Sequence, residues 1–272
     1  SRADYWILEP LIDELSSRKS TEVHLVHVGT YDAEASSHIT QSLYKENLIV
    51  SKNDEDDSMT TFDNVAVFSK ALLYATQTVE QVKPDLVLYL GDRVEILAAA
   101  TACHLRNLPS IHLHGGESSQ GSIDDSMRHA ITKLSKGHIC FSPRAQKNLV
   151  RLGESEESIL LARSFMAARV ETVSDELASR TLQSLGLHPR EPFALVTVHP
   201  VTTDQKNTSE TVRSVVDGLK RSEIRQFLLT GPNTDEGRGL IVSEFQKFRE
   251  ECSRSGQKKV AWQVDLGNSY LS

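Results

Sequence analysis

The stretch that decides the fold is Asp85–Lys133, DLVLYLGDRVEILAAATACHLRNLPSIHLHGGESSQGSIDDSMRHAITK. Two short apolar runs, Leu86–Leu90 and Ile111–Leu113, read as buried strands. Each stops at glycine followed by acid: Gly91-Asp92-Arg93 after the first, Gly115-Gly116-Glu117 after the second. A further acidic pair, Asp124-Asp125, opens the next helical pattern. In open parallel α/β sheets, ligands sit beyond the carboxyl ends of the strands. Asp92, Glu117, Asp124 and Arg93 at such ends therefore predict a reaction centre for a charged small molecule.

The same rhythm extends in both directions. Strand-like runs alternate with helical ones, which predicts βαβ units and parallel sheets. Toward the N-terminus, Leu8, Leu11, Ile12 and Leu15 share one helical face, Glu22–Val28 reads as a strand, and a long helix runs from Phe62 to Val82 before Pro84. Residues 51–58 read as an acidic loop. Toward the C-terminus follow a helix over 124–136, a strand at His138–Phe141 and a helix that stops at Gly153. Past Ser164–Arg169 the pattern restarts: a polar helix ending at Gly186, a strand Phe193–Val198 into His199-Pro200, then helix 209–220, strand Gln226–Leu229 and helix 238–250. The expectation is an α/β protein of two Rossmann-like domains, 1–168 and 169–272. The first strand of the first domain is expected to be missing, and the second domain to be truncated.

Composition narrows the function. The chain has 272 residues, 39% of them hydrophobic, which is enough for two cores. A net charge of -7 without a Lys/Arg run argues against a nucleic-acid partner. No apolar run reaches the roughly 20 residues of a membrane span. Three cysteines, Cys103, Cys140 and Cys252, lack metal-type spacing, and the chain does not open on a basic-then-apolar leader. These features predict a cytoplasmic protein with no membrane contact.

Several residues carry candidate chemistry. Arg2 lies just before a helix and Arg93 at the start of another, where unpaired N–H groups and the dipole suit phosphate, and arginine adds bidentate donors; surface salt bridging is the other reading. Asp124 shares a loop with Glu117, whereas Ser122 and Asp125 have the spacing of a capping arrangement, so Asp125 reads as a cap. Carboxylates that share a pocket repel, so at least one pKa should rise, as suits a group that takes and gives a proton. Asp92 has a second reading as an acceptor for loop amides. His199 ends a strand and is placed to donate to a phosphate or a leaving oxygen, or to serve structurally. His112 and His114 alternate with apolar residues, and no Cys/His set completes a metal site; no metal and no cofactor are expected.

Together these residues form long motifs: Ser1-Arg2-Ala3-Asp4-Tyr5, Gly91-Asp92-Arg93, His112-Leu113-His114-Gly115-Gly116-Glu117, Ile123-Asp124-Asp125-Ser126-Met127-Arg128-His129-Ala130-Ile131-Thr132-Lys133 and His199-Pro200-Val201-Thr202. They resemble the hydrolysing UDP-N-acetylglucosamine 2-epimerases of sialic-acid biosynthesis, in particular the epimerase half of the animal bifunctional epimerase/kinases. The resemblance implies two Rossmann-like domains facing a cleft, as in GT-B glycosyltransferases. It implies conversion of UDP-N-acetylglucosamine and water to N-acetylmannosamine and UDP, by elimination and addition without nicotinamide. The catalytic positions matched are Asp92, Glu117, Asp124 and His199; the UDP-contacting ones are Arg2, Arg93, His199 and Asn233. Relatives commonly form dimers or tetramers, which implies a homo-oligomer at full length.

The chain departs from the family at Arg163-Ser164-Phe165-Met166-Ala167-Ala168, where a glycine and proline are usual, and at Lys136, where relatives often carry histidine. It also ends before the family's Gly/Asn/Ser-rich UDP loop. A sheet without its first strand exposes an edge, so this piece by itself is expected to be weakly active or inactive. Three alternatives stand beside the hydrolysing epimerase. One is a non-hydrolysing epimerase or an enzyme of UDP-diacetamido sugars. The others are a glycosyltransferase on the same fold and a non-catalytic UDP-sugar binder.

Overall fold

The computed structural model describes residues 2–28, 48–52, 64–119, 122–164, 174–200, 205–232 and 237–264. The chain divides into two compact units, Ser1–Ala168 and Arg169–Ser272. Each is an α/β unit with parallel strands.

The first unit opens with α1 (Arg2–Ser16), β1 (Val23–His27), β2 (Leu48–Lys52) and α2 (Asn64–Val82). It continues with β3 (Val87–Leu90), α3 (Val94–Leu105), β4 (Ser110–Leu113), α4 (Ile123–Leu134), β5 (Gly137–Cys140), α5 (Pro143–Arg151) and β6 (Ile159–Leu161). Strands β3-β4-β5-β6 form one parallel sheet in sequence order, and β1 pairs with β2 in another. Helix α3 explains the packing. Its sequence VEILAAATACHL has apolar residues on every side, and only His104 and Leu105 at its end are exposed. It lies against both α2 and α4. Ala98 and Ala100 are fully buried, and the small side chains let the helices come close. Ala75, Tyr89, Ala99, Cys103 and Ile131 complete this core.

The second unit holds α6 (Asp175–Ser184), β7 (Phe193–Val196), α7 (Gln205–Arg221), β8 (Gln226–Thr230), α8 (Arg238–Ser255) and β9 (Lys259–Gln263). The sheet order is β7-β8-β9, all parallel. Every residue of β8 is buried, as a central parallel strand must be. Phe227 packs edge-on against Phe248 at 5.8 Å, with Phe245, Ile241, Val212 and Val216 around them. Each such side chain contributes roughly 2–3 kcal/mol by leaving water.

The sequence patterns miss three strands, β2, β6 and β9. Residues 51 and 52 belong to β2 and not to the acidic loop. Each of the three lies at an end of its strand order, and β6 has only three residues, too few for a periodicity to register. Helix α1 also begins earlier than its apolar face suggests, so Arg2 is its first residue and does not precede it.

Two glycines set the exits of the strands that matter for function. Gly91 after β3 has φ +86° and Gly116 after β4 has φ +81°, in the left-handed region that other residues avoid. A Cβ on Gly91 would meet nothing within 4 Å, whereas one on Gly116 would lie 2.3 Å from the Ala145 carbonyl oxygen of α5. Gly91→Ala should therefore cost about 1–2 kcal/mol of backbone strain. Gly116→Ala adds a clash with main chain and should cost at least about 2 kcal/mol more. Urea unfolding of the two variants measures the difference, and equal losses would contradict it.

Candidate active site

The carboxyl ends of β3 and β4 and the start of α4 come together around one side chain, Arg128. It lies on α4, with 8% of its side-chain surface exposed. Its Nη2 donates to Asp92 Oδ2 and, at 3.0 Å, to Ser119 Oγ. Its Nη1 donates to the Glu117 carbonyl oxygen at 2.9 Å and faces Asp125 Oδ1 at 3.5 Å. A buried cation is tolerated only when acceptors replace its water, and here two loops and the first turn of α4 supply them.

Asp92 feels opposing influences. Burial pushes its pKa up, the Arg128 cation and its hydrogen bond pull it down, and the charges of Asp124 and Asp4 push it up again. The net direction is upward. Mutual repulsion of carboxylates, expected from sequence, is present, but loss of water is the larger cause. Asp124 stands at the entry of α4. Its amide donates to the N-cap hydroxyl of Ser122 at 3.2 Å, and that hydroxyl donates to Asp124 Oδ2 at 2.8 Å.

Glu117 is held at two points. Its carbonyl oxygen is bound by Arg128, and its Oε1 accepts from the Ser142 hydroxyl at 2.9 Å. The same Ser142 oxygen caps α5 by accepting from the Ala145 amide at 3.1 Å. The Gly116 carbonyl accepts from Asn148 Nδ2 at 2.9 Å. His114, with φ +66°, packs on Phe141 with ring centroids 4.4 Å apart and the ring planes tilted by 40°. Burial lowers its pKa, and the nearby charges of Glu117, Asp92 and Asp4 oppose that. Asp92, Glu117 and Asp124 thus share one neighbourhood.

Asp125 corrects the capping expectation. Ser122 caps α4, but Asp125 Oδ1 accepts from the Ser119 amide at 2.7 Å, not from the Ser122 amide, and its carboxylate also faces Arg128 and His129. The Ser119 amide holds its pKa below the usual carboxylate range. Its role is to anchor the loop between β4 and α4.

The nucleotide-contact candidates are divided between the two units. Arg93 is the residue before α3; it is 43% exposed and reaches Glu95 at 3.4 Å. Arg2 belongs to the first turn of α1, and its side chain lies outside the described residues. Asp4, two positions on, is close enough to act on Asp92 and His114. His199 lies in the second unit, exposed, three residues past β7. Asn233 lies outside the described residues. The sequence singled out neither Arg128 nor Ser142 for this site. A cation at the fourth position after Asp124 on a helix with a buried face was the available signal. Among the described residues, no group of three or more His, Cys, Asp or Glu could hold a metal ion, and no helix is long and apolar enough to cross a membrane.

His112, fully buried on β4, supports the site from beneath. Its Nε2 lies 2.7 Å from the Gly91 carbonyl, which only accepts, so Nε2 carries the proton. Nδ1 then accepts from the Thr132 hydroxyl at 3.1 Å. Burial lowers its pKa from 6.5 to about 4. The unfolded chain therefore binds a proton here that the folded protein does not, and stability falls as pH drops from about 6.5 to about 4. The loss amounts to about 3 kcal/mol at most. His112→Gln should flatten that part of the curve of unfolding free energy against pH; an unchanged slope would show that another group sets it.

A family model described as "UDP-N-acetylglucosamine 2-epimerase" matches residues 13–263. The chain is 28% identical over 280 residues to the GDP/UDP-N,N'-diacetylbacillosamine 2-epimerase (hydrolyzing) of Campylobacter jejuni, covering 100% of this chain and 70% of that protein. It is 29% identical over 250 residues to the UDP-N,N'-diacetylbacillosamine 2-epimerase (hydrolyzing) of Legionella pneumophila, covering 91% of this chain and 66% of the relative. The chain thus spans about two thirds of the length of these relatives. The crystal structure of the Neisseria meningitidis UDP-GlcNAc 2-epimerase bound to UDP-GlcNAc superposes with a TM-score of 0.76 at 13% identity, over 100% of this chain and 73% of that one. The fold is therefore shared with that enzyme. With a family model matched along almost its whole length, the chain belongs to the UDP-N-acetylglucosamine 2-epimerase family.

Proposed function

We propose that the protein is a hydrolysing 2-epimerase that turns UDP-N-acetylglucosamine and water into N-acetylmannosamine and UDP, in the service of sialic-acid biosynthesis. The observation that carries this reading is the gathering of Asp92, Glu117 and Asp124 near the buried Arg128. Epimerising C2 through elimination needs groups that remove a proton from one face and return one to the other, and carboxylates in differing environments suit that division of labour.

The steps balance as follows. A carboxylate takes the C2 proton, that electron pair forms the C1–C2 double bond, and the C1–O bond breaks with its electrons leaving on UDP. A carboxylic acid then delivers a proton to C2 from the opposite face while water adds its hydroxyl to C1 and gives its remaining proton to the carboxylate so formed; the proton first taken from C2 passes to solvent, which restores both groups. Asp92, whose pKa is raised by burial, is suited to hold a proton between the steps. Glu117, oriented by Ser142, and Asp124 are the companion acid–base groups. His199 is assigned to the leaving UDP, with Arg2, Arg93 and Asn233 on its phosphates and nucleoside. The route consumes no redox cofactor and needs no metal. The complete protein acts in the cytoplasm as a homo-oligomer.

A second substrate is favoured by one observation. Both relatives named above are described as hydrolysing epimerases of N,N'-diacetylbacillosamine nucleotides. The chemistry at C1 and C2 is the same for that sugar. The choice between the two rests on what meets C4, where the second acetamido group sits.

Proton NMR of the products in deuterated water tests both substrates at once. The expected result is free N-acetylmannosamine carrying deuterium at C2, with UDP released. A UDP-linked product would point to a non-hydrolysing epimerase, and turnover of only the diacetamido substrate would favour the second reading. Glu117→Gln should lower turnover by about 10²–10⁴-fold while UDP affinity stays within a few-fold. A variant that loses binding but not turnover at saturation would overturn its catalytic assignment.

A further inference from the structure

Arg128 stands out because its connections exceed what packing needs. An apolar side chain of similar volume would fill the space beneath these loops without the cost of dehydrating a charge. Instead the guanidinium joins three sets of acceptors, two of them on loops that follow different strands. These are Asp92 after β3, the Glu117 carbonyl and Ser119 hydroxyl after β4, and Asp125 on its own helix. Asp92 and Glu117 are two of the three carboxylates assigned to proton transfer. One is gripped by its carboxylate, the other by its backbone, and both by neighbouring nitrogens of a single rigid plane.

We propose that Arg128 is a positioning residue of the reaction, a planar clamp that sets the spacing between the Asp92 and Glu117 carboxyl groups and keeps Asp92 able to ionise. The inference deepens the hydrolysing-epimerase reading and rests on it. Spacing matters because the C2 proton and its replacement approach from opposite faces of one sugar ring. A displacement of about 1 Å at either group can cost about 100-fold in rate. Glu117 is anchored twice: Arg128 fixes its main chain, and the Ser142 hydroxyl at 2.9 Å fixes its carboxylate. Asp92 depends on Arg128 for its counter-charge. Of the groups facing it from other elements, Asp124 on α4 and Asp4 on α1 are like-charged and favour the protonated form, and His114 after β4 has its pKa lowered by burial. Lysine cannot replace the clamp, since a point charge on a flexible stem meets one partner where the fork meets several.

The test uses Arg128→Met and Arg128→Lys in the full chain. Four quantities are read: kcat and KM for UDP release, the pH profile of kcat/KM, UDP affinity by calorimetry, and the titration midpoint of the Asp92 carboxyl by carbon NMR in the free protein. Arg128→Met should lower kcat by about 100-fold or more with UDP affinity within about threefold. Its pH profile and the Asp92 midpoint should both move to higher pH, since the cation that favours the carboxylate is gone. Arg128→Lys should bring the midpoint back toward the parent value but not kcat. A merely structural arginine would lower folded yield and UDP affinity together and leave the pH profile in place; that result overturns the proposal. If Arg128→Met does not fold, Arg128→Lys decides: kcat within threefold of the parent refutes the clamp. If the parent releases no UDP from either sugar nucleotide, the epimerase reading fails, and with it the catalytic meaning of the clamp. The Asp92 midpoint in Arg128→Met then still shows whether the pairing controls its ionisation, and an unshifted midpoint refutes that part directly.

Discussion

A guanidinium shut away from water has to be met by acceptors on several sides, and this requirement organises the first unit. Arg128 is that guanidinium. Its partners come from the loops after β3 and β4 and from the first turn of α4. Each loop must therefore leave its strand at an angle that points oxygen atoms inward. Gly91 and Gly116 supply the left-handed backbone those exits require. Gly115 is constrained in another way: a Cβ there would lie 3.1 Å from both His112 Nδ1 and Thr132 Oγ1. Close approach and unusual backbone thus serve one polar network.

The network is continuous with the core beneath it. His112 bridges the Gly91 carbonyl and Thr132, tying the β3 exit to α4 through β4. Ser142 joins the cap of α5 to the Glu117 carboxylate, so the start of α5 is tied to the loop after β4. His138 and Lys133 share Glu154 in a neighbouring cluster between α4, β5 and the turn after α5. The second unit is held differently, by aromatic and aliphatic burial around Phe227, Phe245 and Phe248. Its clearest polar tie is Gln226, whose amide group accepts from the His188 amide and donates to the His188 carbonyl. One unit carries a dense ionisable cluster, and the other is an apolar platform that carries His199 beyond its first strand.

Much of this was legible without coordinates, for local reasons. The glycine–acid endings of two apolar runs mark strand exits, and the three carboxylates that follow are the ones the fold gathers. The raised pKa of Asp92 follows from the same expectation, although burial outweighs repulsion as its cause. Asp125 was misread because a capping spacing is a local rule, and here a loop amide six residues earlier competes successfully for the carboxylate. Strands β2, β6 and β9 escaped notice because terminal strands are short or lack the two-sided apolar run of a central one.

The sequence by itself determined the alternation of strand and helix, the parallel α/β class and the positions where acids cap strand ends. Those properties depend on periodicity and on the backbone freedom of glycine, which act over a few residues. Only the tertiary structure decided which charges meet. Asp92 and Arg128 are 36 positions apart, and Glu117 and Ser142 are 25 apart. Such pairs are set by the register of β3 on β4 and by how α4 and α5 lie over the sheet. Loss of water there turns weak surface charges into a directed network, because the energy of a charge depends on its surroundings more than on its identity.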